Sequence, residues 1–214
     1  MNVVKGTGKR AEKARATRLK ILEAAERLFV EHGYGITTVQ EVADAAGVAV
    51  QTVYFTFGNK RTLMKELVDL VIAGDDEPVA TVDREWFTAA LAAPGAAELL
   101  DRYTAGAAGI LGRLAPVMKV AETAAASDPA LAELWRSDED PRYTVARRAA
   151  AALVAKPDAA QGLDEASAAD ELYGLTSPEL YLAMTRSRGW SPERWREWTL
   201  GLLVSRLCEG TADA

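Results

Sequence analysis

The sequence contains one cysteine and one histidine among its 214 residues. A lone Cys208 excludes an internal disulfide framework and a cysteine-based zinc cluster. A lone His32 excludes a multi-histidine metal site, and its distance in sequence from Cys208 leaves little material for a Cys–His pair. We therefore expect neither a metal nor a cofactor.

Long apolar runs are also missing. In the most apolar region, Tyr103 to Gly112 spans ten uncharged residues between two arginines, whereas a membrane helix needs about 20. The basic N-terminus does not lead into the apolar segment of a secretory signal. These absences predict a soluble, cytoplasmic protein without a membrane partner. The 49 % apolar and 26 % charged residues are typical of one or two globular domains.

Charge is distributed unevenly along the chain, whose formal net charge is −6. Residues 1–65 hold 11 Lys/Arg and 6 Asp/Glu, a net charge of +5, and the remainder holds 14 and 25, a net charge of −11. The electrostatic signature of DNA binding belongs to a domain rather than to a whole chain. A basic N-terminal run by itself is more often a solvated tail, so charge alone leaves DNA contact open.

Hydrophobic periodicity predicts helices along the N-terminal third. Residues 11–32 carry apolar side chains at helical spacing, and Gly33 follows as a stop signal. Thr38 and Glu41 have the spacing of a capping box, which predicts a short helix that Gly47 ends. A second short helix is predicted over about Val50 to Phe55 and a third from near Asn59.

Two short helices joined by a glycine-containing turn, behind a longer amphipathic helix, are the pattern of a helix-turn-helix. The small residues Ala43 and Gly47 allow the two helices to approach closely. A generic three-helix core without a DNA role has the same pattern. The adjacent basic segment favours DNA binding.

The order and spacing of many residues over about 15–70 resemble the DNA-binding domain of TetR/AcrR-type repressors. The segments that carry the resemblance are Leu19–Ala25, Gly33-Tyr34, Thr37-Thr38-Val39, Ala46-Gly47-Val48, Thr52-Val53-Tyr54 and Phe57-Gly58-Asn59-Lys60. The resemblance implies an all-α fold with an N-terminal three-helix helix-turn-helix domain, followed by a helical ligand-binding and dimerisation domain. We assign residues 1–14 to a basic arm, 15–74 to the helix-turn-helix domain and 75–214 to the effector and dimerisation domain.

The same resemblance implies which residues would contact double-stranded DNA. Thr38 and Lys60 would contact phosphates, and the N-terminus of the second short helix would meet base edges in the major groove. Gln51 can pair with adenine, and Val50 can touch a thymine methyl group. The predicted DNA-contacting residues are Thr38, Val50, Gln51, Thr52, Tyr54, Phe55, Thr56 and Lys60. By contrast, Val53 and Phe57 are expected in the core.

The sequence departs from the family pattern at Ala49, which stands where an N-capping residue such as Ser is usual. A missing cap costs about 1 kcal/mol. We therefore expect the recognition helix to lack a side-chain cap.

The acidic C-terminal part is predicted to form further helices, because its apolar and polar residues do not alternate as they do in strands. Asp75-Asp76-Glu77 with Pro78 forms a polar break at the expected domain boundary, and Ser or Asp before Pro predicts later helix starts. One short reading helix covers half a site, so a homodimer on a palindromic operator is expected. By resemblance, residues 164–187 and 192–208 would form the dimer interface.

The middle helices are the expected site of an unknown small-molecule effector. An apolar pocket with a few polar groups suits such a ligand, although aromatic residues at helical spacing are more often core. The candidate lining residues are Trp86, Phe87, Tyr103, Met118, Glu122 and Trp135.

These observations predict a one-component transcriptional regulator, a repressor that a ligand releases from DNA. Two alternatives without DNA binding stay open. A small helical enzyme is one, although the sequence has no Ser/His/Asp set, no phosphate-cradling glycine loop and no spacing of paired metal ligands. A helical protein-interaction module is the other, for which only the missing cap at Ala49 speaks.

Overall fold

The structure is a computed structural model, and it describes residues 5–77, 79–133 and 140–209. Helices account for nearly all of the regular structure in these residues, apart from one isolated bridge between Ala159 and Cys208. The all-α prediction is therefore confirmed. The α-helices are α1 (Lys5–His32), α2 (Val39–Ala46), α3 (Val50–Phe57), α4 (Lys60–Ala73), α5 (Glu85–Leu91), α6 (Ala96–Ser127), α7 (Pro129–Ala132), α8 (Pro141–Val154), α9 (Glu165–Leu175), α10 (Pro178–Leu182) and α11 (Pro192–Leu207). A 3₁₀ turn (Thr81–Asp83) precedes α5, and a π-helical turn (Ala183–Ser187) continues α10.

The described chain divides into two compact units. The first unit comprises Met1–Leu70 and Pro116–Arg136, and the second comprises Val71–Ala115 and Ser137–Ala214. The domain boundary predicted at residues 75–78 follows the end of α4 at Ala73, and the three-part division stays a prediction.

In the first unit, α1, α2 and α3 pack together around a core of buried apolar side chains. Ile21, Ala25 and Phe29 recur at four-residue spacing on α1, which places them on one face of the helix. Arg18 of α1 also donates two hydrogen bonds to Glu66 of α4, at 2.8 and 3.1 Å. The amphipathic stripe read from residues 11–32 is therefore the buried face of α1.

Helix α1 begins earlier than the sequence pattern indicates. Residues 5–14, predicted as part of a basic arm, continue α1 without a break. The side chains of residues 9–16 are exposed. No apolar face is needed for this segment to be helical, which is why hydrophobic periodicity could not show it.

In the second unit, three of the described helix starts combine a capping side chain with a proline in the first turn. Ser177 and Ser191 each accept a hydrogen bond from the backbone N–H three residues later, and Pro178 and Pro192 follow them. Asp140 precedes Pro141 at the start of α8, and its carboxylate accepts a hydrogen bond from the backbone N–H of Arg142, two residues later. A proline is tolerated there because its missing N–H would have no helical partner.

The longest of the described helices, α6, is capped at its start by a residue distant in sequence. The carboxylate of Asp158 accepts hydrogen bonds from the backbone N–H groups of Ala96 and Ala97, at 2.6 and 3.3 Å. These bonds lower the pKa of Asp158. The neighbouring Lys156 ammonium donates to the carbonyls of Leu91 and Ala93 at 2.9 and 2.6 Å. The loop after α8 thus fixes the α5–α6 turn.

Candidate nucleic-acid interface

The turn between α2 and α3 has the geometry that the sequence predicts. Thr38 caps α2 in a complete capping box with Glu41. Gly47 then adopts φ +66°, in the left-handed region where a Cβ is unfavourable. The backbone N–H of Val48 donates to the Ala43 carbonyl at 3.0 Å, which closes the end of α2. This turn sets α3 against α2, and Ala43 is fully buried.

Helix α3 has one buried face and one outward face. Val53 and Phe57 are buried one turn apart, as expected for core residues. Phe55 is 93 % exposed, Tyr54 is 51 % exposed, and Gln51 is exposed as well. Large exposed aromatic side chains are unusual unless a surface binds something. The outward face therefore presents an amide and two aromatic rings to solvent.

The first turn of α3 has no side-chain cap, as predicted from Ala49. Val50 and Thr52 are half-buried beside the exposed Gln51. Thr56 is also half-buried, and its hydroxyl donates to the Thr52 carbonyl at 2.8 Å. At an uncapped helix N-terminus, the first backbone N–H groups have no side-chain acceptor. These groups and the partial positive charge of the helix end can therefore attract an anion.

The two predicted phosphate contacts already have partners within the chain. The Thr38 hydroxyl donates to the Glu41 carboxylate at 2.9 Å, and the hydrogen bonds that Glu41 accepts from Thr38 lower the pKa of Glu41. The Lys60 ammonium lies 4.1 Å from the centre of the Tyr34 ring and donates to the Tyr34 carbonyl. Burial lowers the pKa of Lys60, while Glu41 and Asp128 act in the opposite direction. Both side chains lie at helix starts, and their contact with phosphate stays a prediction.

Two residues near Lys60, Tyr34 and Arg61, make contacts that the sequence does not predict. Tyr34 packs against Phe29 with ring centres 5.4 Å apart, and it holds the Lys60 ammonium. Arg61 donates to Asp128 at 2.7 Å, and this hydrogen bond lowers the pKa of Asp128. Lys60 and Tyr34 are 26 residues apart in sequence, and Arg61 and Asp128 are 67 apart. Hydrophobic periodicity cannot predict contacts over such distances.

The predicted effector residues fall in both units. In the second unit, Phe87 and Tyr103 are buried in one apolar cluster with Trp86 packed against it. The ring centre of Phe87 lies 5.5 Å from that of Trp86 and 6.5 Å from that of Tyr103. Met118 is half-buried and Glu122 is exposed, and both belong to the first unit. Trp135 lies outside the described residues. The structure thus brings three of the six together, and the pocket stays a prediction.

The predicted dimerisation segments are helical. Residues 164–187 form α9, α10 and the π-helical turn, with a break at Thr176 and Ser177, and residues 192–208 contain α11. One face of α11 is buried within the chain through Trp195, Thr199 and Leu203. Trp198 and Leu202 are half-buried, and the small Gly201 is exposed.

No group of His, Cys, Asp or Glu side chains in the described part of the chain could hold a metal ion. Among the described helices, none is long and apolar enough to cross a membrane.

Helix α2, the turn at the left-handed Gly47 and the partly exposed helix α3 together form a helix-turn-helix. Residues 21–67 match the family model of bacterial regulatory proteins of the tetR family. Over 58 residues the chain is 43 % identical to the HTH-type transcriptional regulator TtgR of Pseudomonas putida. That match covers 27 % of this chain and 28 % of TtgR. The chain carries the amino-terminal domain of the TetR family, which confirms the recognition made from the sequence.

The whole fold also has structural relatives. It is similar to NalD, the secondary repressor of the MexAB-OprM multidrug efflux pump in Pseudomonas aeruginosa. The TM-score is 0.63 at 21 % identity, over 93 % of this chain and 99 % of NalD. It is also similar to SmeT in a complex with triclosan, with a TM-score of 0.69 at 21 % identity, over 93 % of this chain and 95 % of SmeT. At this identity the likeness shows that the chain has the fold of these regulators.

Proposed function

We propose that this chain is a one-component transcriptional regulator of the TetR family that binds DNA as a cytoplasmic homodimer. The outward face of α3 carries the proposal, because Gln51, Tyr54 and Phe55 are exposed on a helix whose other face is buried. An exposed amide and aromatic rings on a helix that fits the major groove are suited to base edges and thymine methyl groups. Val50 and Thr52 flank this face at the helix start, and Thr56 lies one turn after Thr52.

Phosphate contacts would come from the ends of neighbouring helices. Thr38 begins α2 and Lys60 begins α4, so both lie where a helix N-terminus favours an anion. The basic residues of α1 add positive charge, since the side chains of residues 9–16 are exposed and include Lys9, Arg10 and Lys13. These contacts would position the protein on DNA without reading its sequence.

The dimer would form through the outward side of α11 together with residues 164–187. Trp198 and Leu202 are half-buried on α11, next to the exposed small residues Gly201 and Ser205. Small residues allow two helices to approach closely, and tryptophan is a frequent anchor of interfaces. Two recognition helices would then meet two half-sites about 34–36 Å apart, or at a multiple of that distance.

A small molecule would release the repressor from its operator. SmeT, which shares the fold, has been solved with triclosan, and the second unit of this chain has a large apolar cluster that includes Trp86, Phe87 and Tyr103. A ligand can shift the affinity for DNA only by its differential affinity for the two conformations of the protein. The proposed effector therefore binds the conformation that fits the operator less well.

Selection from a random-sequence DNA library tests the proposal. The protein is incubated with the library, and bound DNA is recovered and sequenced over several rounds. We expect enrichment of an inverted repeat with half-site centres about one helical turn apart, or a multiple of one turn. The Gln51→Ala variant serves as the control, since it would lose preference at one position of each half-site. Recovery of DNA without any enriched sequence would contradict the proposed reading function.

A further inference from the structure

Two polar side chains on the buried face of α11 have no hydrogen-bond partner among the described residues. Trp195 and Thr199 are both 0 % exposed, and neither Trp195 Nε1 nor Thr199 Oγ1 is bonded. An unpaired buried polar group costs about 1–3 kcal/mol, and native proteins contain few of them. Because the two residues are four positions apart on one helix, their side chains lie on the same face. A single partner could therefore reach both.

The surroundings of this pair are apolar and aromatic. The Tyr181 ring meets the Trp195 ring edge to face, with centres 5.0 Å apart. Leu111 and Ala115 complete the buried cluster. Half-buried apolar residues pack against it, namely Ala108, Leu182, Met184 and Trp190. We call this cluster, with Thr199, the Trp195 site.

The cluster itself consists of apolar and aromatic side chains, and the Arg194 guanidinium lies 4.3 Å from the centre of the Trp190 ring that packs against it. Arg196 is the next residue on α11, and its guanidinium donates a hydrogen bond to the Asp101 carboxylate. A buried carboxylate or ammonium without a counter-charge would be costly. The chemistry of the Trp195 site therefore favours a neutral molecule with an oxygen that accepts hydrogen bonds from an indole N–H and a hydroxyl.

One wall of the Trp195 site is able to adjust. The π-helical turn Ala183–Ser187 follows directly after Tyr181 and Leu182, and such turns often occur at functional sites. Met184 lies in this turn, and methionine adapts to irregular shapes. On the opposite side, Gly112 has no side chain, and a Cβ there would lie 3.5 Å from the Tyr181 hydroxyl. The Tyr181 hydroxyl therefore lies beside the backbone of α6 at Gly112.

We propose that the Trp195 site binds a neutral, apolar small molecule through one acceptor oxygen, such as a ketone carbonyl. That oxygen accepts hydrogen bonds from Trp195 Nε1 and Thr199 Oγ1, and the apolar remainder packs against Tyr181 and Met184. The Trp195 site is a separate cluster from the one that contains Trp86, Phe87 and Tyr103. The inference therefore goes beyond the proposed function and rests on it only for a regulatory consequence, whereas the binding itself can be measured without DNA.

Nuclear magnetic resonance of the ¹⁵N-labelled full chain tests the binding step. The five tryptophans give separate indole N–H signals, and Trp195→Phe assigns one of them by its disappearance. Cyclohexanone is the probe, and cyclohexane is the matched hydrocarbon without an acceptor. We expect a saturable downfield shift of the Trp195 indole proton with cyclohexanone and none with cyclohexane. No saturable shift up to the solubility limit of the ketone, or equal shifts with both molecules, would overturn the proposal.

The Thr199→Val variant gives a second readout. It keeps the shape of the side chain and removes the unpaired hydroxyl, so the free protein should have an unchanged or higher Tm. The affinity for cyclohexanone should fall about 3- to 10-fold, since one hydrogen bond is lost. Thr144→Val, at a half-buried position on α8, is the control and should leave that affinity unchanged. A Thr199→Val protein with a lower Tm and wild-type affinity would show that the hydroxyl has a structural role, which would overturn its place in the site.

DNA titrations separate this inference from the proposed function. If the parent chain binds cyclohexanone at Trp195 but fails to select DNA, the regulator proposal fails and the binding site stands. If DNA is selected but the indole signal does not respond, the Trp195 site fails and the regulator proposal stands.

Discussion

At the scale of single residues, the residue proposed to read bases and the residue proposed to bind phosphate lie on different helices. Gln51 is exposed and free of the core, whereas Val53 and Phe57 on the opposite face hold the helix in place. Lys60 is half-buried, and its charge is held close to Tyr34. Base reading and phosphate binding should therefore respond differently to substitution.

Gln51→Ala should reduce binding to the operator by about 10- to 100-fold, because one bidentate pair to a base is worth about 1–3 kcal/mol. Binding to unrelated DNA should change little. Fluorescence anisotropy with both DNAs measures the two affinities. Gln40→Ala is the control, since the Gln40 amide bonds Asp44 on α2. Equal losses on both DNAs would contradict the reading role of Gln51.

Lys60→Ala should weaken binding to operator and unrelated DNA alike. Removal of one phosphate contact lowers the slope of log affinity against log salt by about 0.9. Titrations at several salt concentrations give this slope. Lys65→Ala is the matched control, since the Lys65 ammonium bonds Asp69 on the same helix at 2.7 Å. An unchanged slope for Lys60→Ala would rule out the phosphate contact.

Asp75 gives the chain a defined acid sensitivity. Arg84 donates two hydrogen bonds to its carboxylate, and these bonds lower its pKa from 3.8 to about 2. A pKa lowered by folding stabilises the protein above the unfolded value, and that stabilisation is lost as pH falls from about 3.8 towards 2. Asp75→Asn should therefore lower the free energy of unfolding at pH 7, by an amount that shrinks below pH 4.

Urea unfolding at a series of pH values measures this difference. Asp83→Asn, in the 3₁₀ turn of the same connection, is the control. A penalty for Asp75→Asn that stays constant from pH 7 to pH 3 would contradict the role of the Arg84 pair.

Individual residues also show what the sequence can reveal. The cap at Thr38, its absence at Ala49 and the left-handed Gly47 follow from local chemistry, so the structure confirms them. The contact of Lys60 with Tyr34 depends on how α1 and α4 pack, and no local rule predicts it. The same holds for Trp195 and Thr199, whose side chains are buried without hydrogen-bond partners among the described residues.

At the scale of elements, the uncapped start of α3 distinguishes this chain from the family pattern. Ala49→Ser should supply the missing acceptor and raise the free energy of unfolding by about 1 kcal/mol. Chemical unfolding followed by circular dichroism measures the change. Ala45→Ser, at an exposed position on α2, is the control, and it should lower stability by about 0.5 kcal/mol, since serine is the poorer helix former. Equal effects of the two substitutions would show that position 49 is not a helix cap.

The helices themselves differ in how well the sequence predicts them. The sequence predicts helices α2 and α3 to within two residues at each end, because a capping box and Gly47 mark α2, and the turn at Gly47 places the start of α3. Helix α1 begins at Lys5, and the side chains of residues 9–16 in it are exposed. Helix α8 begins at Asp140-Pro141, a signal that the sequence contains and that was overlooked.

At the scale of the whole molecule, the proposed regulation requires two copies of the chain. Trp198→Ala should weaken dimerisation by about 30-fold or more, since an anchoring tryptophan is often worth about 2 kcal/mol or more. The change should also make operator binding depend on protein concentration. Sedimentation equilibrium measures the monomer–dimer constant, and Glu197→Ala, an exposed neighbour on α11, is the control. A wild-type dimer constant for Trp198→Ala would place the interface elsewhere.

The all-α architecture and the helix-turn-helix are predictable from the sequence, whereas the effector residues stay a prediction. Capping residues, helical spacing and the family pattern are local signals, so they can be recognised in the sequence without the tertiary structure. A binding site in the helical second unit depends on which side chains from α6, α10 and α11 meet. The predicted effector residues accordingly fall in both units, and the unpaired groups of the Trp195 site were not among them.

The most direct test is the binding of the purified chain to labelled DNA from its own upstream region, beside a scrambled DNA, at two salt concentrations. The account predicts tight binding to the upstream DNA, weaker binding to the scrambled DNA, and a loss of affinity for both at the higher salt. Absence of binding to either DNA at the lower salt would contradict a regulator that reads DNA through α3.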